Sequence, residues 1–129
     1  MGLVLDTSVV IDVLRGRLPE DLALDSGREP MIVSTVTIHE VLFGLRGGEE
    51  SVTGGLLESF AIVGFGIAEA ELSARWRRQF RSRGITLNLA DTAIAATAAV
   101  RNLPLATGNV KHFPMSELRV EQWPPPTCV

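Results

Sequence analysis

The chain has 129 residues, 46% of them hydrophobic and 21% charged, which is typical of a single globular domain with a buried core. Its formal charge of −3 at pH 7 excludes a general basic coat for nucleic acid, so any nucleic-acid contact has to be local. The single cysteine, Cys128, excludes an intramolecular disulfide and a cysteine-based metal cluster.

The sequence also bears on location. Asp6 interrupts the first apolar run, where a signal peptide needs its longest apolar segment. No uninterrupted apolar run reaches the ~20 residues that cross a membrane. We therefore expect a cytoplasmic protein without a membrane segment, folded as one domain over residues 1–129.

Strand and helix patterns alternate through the first half of the chain. A short apolar run, typical of a strand, is followed by apolar residues at helical spacing. This strand–helix pattern then occurs a second time, with Ser34 and Thr35 at the start of the second helix. The elements are predicted over 3–5 (strand), 9–14 (helix), 19–28 (short helix and loop), 31–33 (strand) and 36–45 (helix).

The second half continues the alternation. A stripe of Leu72, Trp76 and Phe80, spaced four apart, indicates a long helix with one buried side. Asn88 is placed to cap an alanine-rich helix. The elements are predicted over 49–60 (weak helix), 60–63 (strand), 68–84 (long helix), 89–100 (helix), 103–106 (strand) and 118–122 (edge strand). The alternation predicts an α/β fold, a parallel sheet covered by helices on both faces.

Four oxygen-bearing side chains fall where such a sheet binds ligands, at the carboxyl ends of its strands. Asp6 follows the first strand, Asp91 begins the alanine-rich helix, and Asn109 follows the strand over 103–106. Glu40 lies one turn inside its helix, grouped with apolar Val36 and Phe43. Carboxylates so placed repel one another unless a cation lies among them, and an all-oxygen set favours Mg²⁺ or Mn²⁺.

Each position also has a purely structural interpretation. Asp6 suits the N-cap of the first helix, and Asp91 suits the third helical position behind an Asn88 cap. Asn109, in a Thr-Gly-Asn loop, suits a turn. Glu40 has no comparable local role, so the metal-site hypothesis depends on the four residues in combination.

Four blocks, in order, resemble a PIN domain, and more closely a VapC-type toxin. They cover residues 3–9, 33–40 with Gly44, 91–98, and 107–109 with Phe113. The resemblance implies a three-layer α/β/α sandwich and a Mg²⁺- or Mn²⁺-dependent endoribonuclease that leaves 5′-phosphate and 3′-hydroxyl ends. It also implies a homodimer neutralised by a small cognate antitoxin.

By this resemblance the acidic metal site consists of Asp6, Glu40 and Asp91, which we expect to converge. Asp6 and Asp91 would hold the ion, Glu40 would position the ion or its water, and Asn109 would orient ligand or water. Two departures lower the charge of the site: Asn109 stands where many relatives carry an acid, and His112 where they often carry aspartate.

Two other functions remain open at this point. One is a phosphate-handling α/β domain, a phosphatase or phosphoacceptor with Asp6 as nucleophile. It lacks support, because Ser8 stands where haloacid-dehalogenase phosphatases carry a second acid. The other is a catalytically inactive PIN-like binding module.

Two surfaces are candidates for partner contact. Five arginines within residues 75–83 form either a solvated surface or a contact for RNA phosphate or antitoxin. Apolar side chains of residues 36–45 and 49–60 are the expected antitoxin surface, with a basic antitoxin side chain inserted among the acids.

Overall fold

A computed structural model describes residues 2–18 and 28–124 of the chain. The prediction for residues 19–27, and the tail beyond Pro124, lie outside these residues. Five strands, five α-helices and a short 3₁₀ helix are described. In chain order they are β1 (Leu3–Leu5), α1 (Thr7–Leu14), β2 (Met31–Ser34), α2 (Thr35–Phe43), α3 (Glu50–Glu58), β3 (Ala61–Val63), α4 (Ile67–Arg81), α5 (Leu89–Val100), β4 (Leu105–Thr107), the 3₁₀ helix Val110–His112, and β5 (Val120–Gln122).

The strands form one parallel sheet in the order β3-β2-β1-β4-β5. β1 lies at its centre, with Val4 paired to Ile32 on one side and to Leu105 on the other. All three of its residues are fully buried, as expected of a strand covered on both faces. β3 is an edge strand, and its Ala61 and Ile62 are exposed.

Two separate cores flank the sheet, because successive β1 side chains point to opposite faces. Val4 packs with Trp76, Phe80 and Ile94 of α4 and α5. Leu3 and Leu5 instead join the cluster formed by α1, α2 and α3, whose other members include Val9, Val10, Val41, Leu56 and Leu57. The predicted three-layer α/β/α sandwich is confirmed.

Helix α2 corrects one sequence expectation. Its buried residues are Thr37 and Val41, whereas Phe43 is 87% exposed and Leu42 50% exposed. Of the two apolar residues grouped with Glu40, Val36 is half-buried against the core whereas Phe43 is exposed, so Phe43 does not provide Glu40 with the apolar surroundings that the sequence predicted. The helix also ends two residues earlier than expected, because Gly44 rather than Gly47 follows its last residue. No helix in the described residues has both the length and the apolar character to cross a bilayer.

The sheet order determines where a ligand site can form. From β1 the chain moves outward through β2 to β3, then crosses back to β4 on the other side of β1. The connections therefore diverge between β1 and β4, and ligands of open α/β sheets bind at such a point, beyond the carboxyl ends of the strands. Asp6 and Thr107 stand at these two strand ends.

Candidate metal site at the carboxyl edge of the sheet

Asp6 is held by a dense set of hydrogen bonds between β1 and β4. It is 5% exposed, and its Oδ2 accepts the hydroxyls of Ser8 at 2.9 Å and Thr107 at 2.7 Å. Its Oδ1 accepts the Thr7 backbone N–H at 2.8 Å, so the predicted capping of α1 is real. These donors offset the cost of burying a carboxylate.

The same hydroxyls connect Asp6 to the loop after β4. Ser8 Oγ accepts the Gly108 N–H at 3.0 Å, and Thr107 Oγ1 accepts the Asn109 N–H at 3.0 Å. A carboxylate offers about four acceptor positions, and the Asp6 donors above occupy three, which leaves one on Oδ1. Asp6 thus combines a rigid placement with a remaining oxygen lone pair.

Glu40 reaches the same edge from α2. Its Oε1 accepts the Thr7 hydroxyl at 2.6 Å, and that hydroxyl also lies 3.2 Å from the hydroxyl of Thr37. Thr7 thus joins Asp6 to Glu40, since its N–H serves the first and its hydroxyl the second.

Asp91 lies in the first turn of α5, where Asn88 Oδ1 accepts its backbone N–H at 3.1 Å. The predicted cap is therefore present: Asn88 caps α5 through the backbone N–H of Asp91. The side chain of Asp91 takes no part in the cap and is left for other contacts. Burial raises the pKa of the Asp91 carboxyl, and the charges of Asp6 and Glu40 raise it further. The His112 ring opposes this, with Nδ1 at 3.6 Å from Asp91 Oδ2.

Asn109 is exposed and begins the 3₁₀ helix Val110–His112. Its backbone N–H makes the turn by donating to Thr107, but its side chain makes no capping hydrogen bond to this helix. The turn interpretation therefore accounts for the backbone of Asn109 and leaves its amide side chain without a capping role.

The oxygen ligands at this edge suit a divalent cation that is held by few carboxylates. In residues 2–18 and 28–124, no group of three or more His, Cys, Asp and Glu side chains is gathered as a metal cluster. The described residues therefore contain no closed cage of three carboxylates, and the role of Asp6, Glu40 and Asp91 as ligands stays a prediction. Mg²⁺ is usually bound by one or two carboxylates, with waters and substrate phosphates completing its shell, so these residues fit such an ion.

Three side chains around the acids were given no role from the sequence. Thr7, Ser8 and Thr107 position Asp6 and Glu40, and His112, noted in the sequence only as a departure in charge, lies beside Asp91. A signal was present for the three hydroxyl residues, since they directly follow or end the strands at the sheet edge. The pairing of Ser8 with residues near 107 depends on the adjacency of β1 and β4, which sequence spacing alone does not reveal.

A PIN-domain family model matches residues 3–114, and the chain belongs to the PIN-domain family. Among its relatives is Ribonuclease VapC10 of Mycobacterium tuberculosis, 36% identical over 129 residues, covering 98% of this chain and 94% of the relative. Ribonuclease VapC of Rickettsia bellii is 31% identical over 121 residues, covering 88% and 89% of the two chains. The resemblance inferred from the four sequence blocks is confirmed.

Solved structures agree on the fold. The chain is similar to one in the DNA-bound VapBC crystal structure from Salmonella typhimurium, with a TM-score of 0.82, 22% identity and coverage of 95% of this chain and 98% of that one. It is also similar to a chain of a toxin–antitoxin complex from Klebsiella pneumoniae, with a TM-score of 0.75, 29% identity and coverage of 91% and 95%.

Proposed function

We propose that this chain is a divalent-metal-dependent endoribonuclease, the toxin of a toxin–antitoxin pair. The observation that carries the proposal is the shared placement of Asp6 and Asp91 at the diverging point of the sheet, where the charge of Asp6 raises the pKa of Asp91. In the described residues no arginine or lysine forms an ion pair with Asp6, Glu40 or Asp91. The ribonuclease names of the VapC relatives support the choice of RNA.

Asp6 and Asp91 are the residues that would hold Mg²⁺ or Mn²⁺. When bound, the ion supplies positive charge that polarises the scissile phosphoryl oxygen and lowers the pKa of the attacking water. Asp6 would offer the remaining lone pair of Oδ1, and the hydroxyls on Oδ2 hold its carboxylate in place. Glu40, fixed by the Thr7 hydroxyl, orients water, and the Asn109 amide orients ligand or water.

The reaction is hydrolysis of a phosphodiester. The water oxygen bonds to phosphorus while the bond from phosphorus to the 3′ oxygen breaks, and that oxygen leaves with a proton. The products therefore carry 5′-phosphate and 3′-hydroxyl ends. This direction of cleavage is the one the resemblance to VapC-type toxins implies, and end-labelling of the products distinguishes it from cleavage at the 5′ oxygen.

The proposed antitoxin contact lies beside the acids, on α1, α2 and α3. Phe43 and Val52 are 87% and 62% exposed, although both are apolar. A shallow depression lined by Val13, Leu14 and Val52 runs between α1 and α3. Apolar contact here would provide the affinity, and a basic antitoxin side chain would reach the carboxylates. We further propose that the toxin acts in the cytoplasm as a homodimer, as its sequence resemblance implies.

The phosphatase and binding-module alternatives are not favoured by the VapC relatives.

Expression of the chain alone and together with the neighbouring reading frame tests the proposal. Growth should stop with the chain alone and recover with the neighbour. The purified chain should cleave total RNA with Mg²⁺ or Mn²⁺ and stop when EDTA is added. Equal growth in both cultures, together with no metal-dependent cleavage, would favour the binding module.

A further inference from the structure

Helix α4 presents two different faces along its length. Ser73, Trp76 and Phe80 are buried against α5 and the sheet. Ala74, Arg77, Arg78 and Arg81 follow at offsets of three, four and seven, so they share one exposed stripe. Three guanidinium groups therefore line one side of the helix, and the small residue Ala74 begins the stripe.

The chain after α4 turns back and converts this stripe into a groove. Gly84 has a φ of +78°, the left-handed conformation that glycine adopts readily at helix ends. Arg77 Nε then donates to the Leu87 carbonyl at 3.3 Å. The resulting concavity, here named the arginine groove, is lined by Ala74, Arg77, Arg78, Arg81, Thr86 and Leu87.

The charge in the groove is not neutralised within the described chain. Of the ion pairs found between described residues, none includes Arg77, Arg78 or Arg81. Cations are favoured near the C-terminus of a helix, which explains part of the composition. It does not explain why three of them border one concavity, because arginines on separate faces would serve the helix end equally well.

The arginine groove is connected to α5, the helix that carries Asp91. A buried hydrogen bond of 2.8 Å joins Ser73 to Thr92. Ser73 precedes the groove residue Ala74, and Thr92 follows Asp91. Leu87, at the other side of the groove, is four residues before Asp91 and thus within ~14 Å of it along the chain. Both connections lead to the first turn of α5, which carries Asp91.

The shape of the arginine-lined surface favours an extended chain of anionic groups over one isolated anion. A second depression adjoins the first along α4, sharing Ala74 and Arg78 and adding Arg75, with Glu71 as the acid at its border. The two together form a track of arginines along the helix. Guanidinium groups bind phosphate oxygens in pairs of hydrogen bonds, and a nucleic-acid strand presents one phosphate after another.

We propose that the arginine groove binds the phosphate backbone of the RNA substrate beside its point of cleavage. This inference rests on the proposed ribonuclease function and assigns a subsite to it. Because phosphates carry no sequence information, the groove contributes affinity and register and leaves the choice of sequence to other contacts. An acidic segment of the antitoxin is the competing occupant, and the experiment separates the two.

The test variant is Arg78→Gln/Arg81→Gln, which keeps Arg77 and its contact with Leu87. The matched control is Arg17→Gln/Arg119→Gln, which removes two exposed arginines elsewhere. Binding of a short, labelled single-stranded RNA of mixed sequence is measured by fluorescence anisotropy in EDTA, across a salt titration. Melting temperatures check that each variant is folded. EDTA removes any dependence of the result on metal or cleavage.

Each phosphate contact on a single strand contributes about 0.7 to the slope of log affinity against log salt. Because the test variant lacks two such contacts, the magnitude of its slope should be about 1.4 smaller than that of the wild type. It should bind RNA about 25-fold more weakly than the wild type at 0.1 M salt. The control should keep the wild-type slope. With Mg²⁺ present, KM should rise in the test variant while kcat is retained, because the groove binds substrate and transition state equally.

Equal slopes and affinities in the two variants would overturn the proposal. If the test variant alone also failed to bind the antitoxin, the groove would belong to that protein. If the wild-type chain cleaves RNA while the test variant matches the control, the RNA-binding role of the groove is wrong and the ribonuclease function stands. If the wild-type chain neither binds nor cleaves RNA, both proposals are wrong.

Discussion

Asp6 and Asp91 are acids at the same edge of the sheet, but they differ in burial and in hydrogen bonding. Asp6 is nearly fully buried and receives three hydrogen bonds, two of them from hydroxyls. Asp91 is half-buried, and its side chain has only the His112 ring at 3.6 Å as an ion-pair partner in the described residues. One carboxylate is positioned by donors, while the other carries a raised pKa.

The difference follows from what each residue contacts. Asp6 stands between two adjacent strands, so neighbouring backbone and hydroxyls are held at fixed distances around it. Asp91 stands on a helix that faces Asp6 and Glu40, so its surroundings add negative charge. We expect a cation to be favoured beside Asp91, because it would offset the repulsion from Asp6 and Glu40 that helps to raise the pKa of Asp91.

The largest expected effect is loss of activity in Asp6→Asn. The change removes the negative charge proposed to hold the ion, and RNA cleavage should fall by about 100-fold or more, beyond what loss of an outer contact costs. Asp12→Asn on the same helix α1 is the matched control and should cleave as wild type. Cleavage rates at saturating Mn²⁺ measure both, and wild-type activity in Asp6→Asn would contradict the assigned role.

The second prediction concerns a hydroxyl that donates to Asp6 rather than Asp6 itself. Thr107→Val keeps the shape of the side chain but removes the hydroxyl from Asp6 Oδ2 and leaves the Asn109 N–H without its acceptor. The Mn²⁺ concentration for half-maximal cleavage should rise about 10- to 100-fold. Stability should fall by about 1–3 kcal/mol.

Thr97→Val provides the comparison for that experiment. Thr97 is also a buried threonine, but its hydroxyl donates to the Ala93 carbonyl within α5, away from the acids. Its substitution should leave the Mn²⁺ requirement unchanged. The same Mn²⁺ requirement in both threonine variants would show that the hydroxyl on Asp6 does not position it for metal.

Asp91→Asn should have the opposite effect on stability. A raised pKa means that the folded state penalises the charged carboxyl, and stability is lost as the pH rises from the ordinary value of 3.8 through the raised one. In EDTA at pH 7, Asp91→Asn should melt above wild type, and the gap should close in acid. A lower melting temperature would show that the N-terminus of α5 stabilises this charge more than burial opposes it.

The smallest expected effect concerns His112. Its side chain is 58% exposed and approaches Asp91 only at 3.6 Å, and ion pairs of this kind contribute about 0–1 kcal/mol. His112→Gln should therefore change kcat/KM by less than about fivefold. A much larger loss would place His112 among the groups that contact substrate and would make the two acids more alike than their contacts indicate.

Sequence patterns predicted most of the fold, and they did so for local reasons. The run at residues 3–5 and the caps at Ser34 and Asn88 are short-range features, and each element they predicted is present. The errors lie at element ends, where α2 stops at Phe43 instead of 45 and β4 begins at Leu105 instead of 103. Helix and strand ends depend on which hydrogen-bond partners the rest of the fold supplies.

The sequence by itself predicted that Asp6, Asp91 and Asn109 belong near one sheet edge, because each follows a strand or lies near a helix start in an alternating chain, and it added Glu40 through the four residues in combination. Only the tertiary structure decided that β4 lies beside β1, which brings the hydroxyl of Thr107 to Asp6 across 101 residues of sequence. It likewise decided that Phe43 is exposed and that the arginines of α4 border a groove. These outcomes depend on which surfaces are covered by distant parts of the chain, and periodicity within one element does not contain that information.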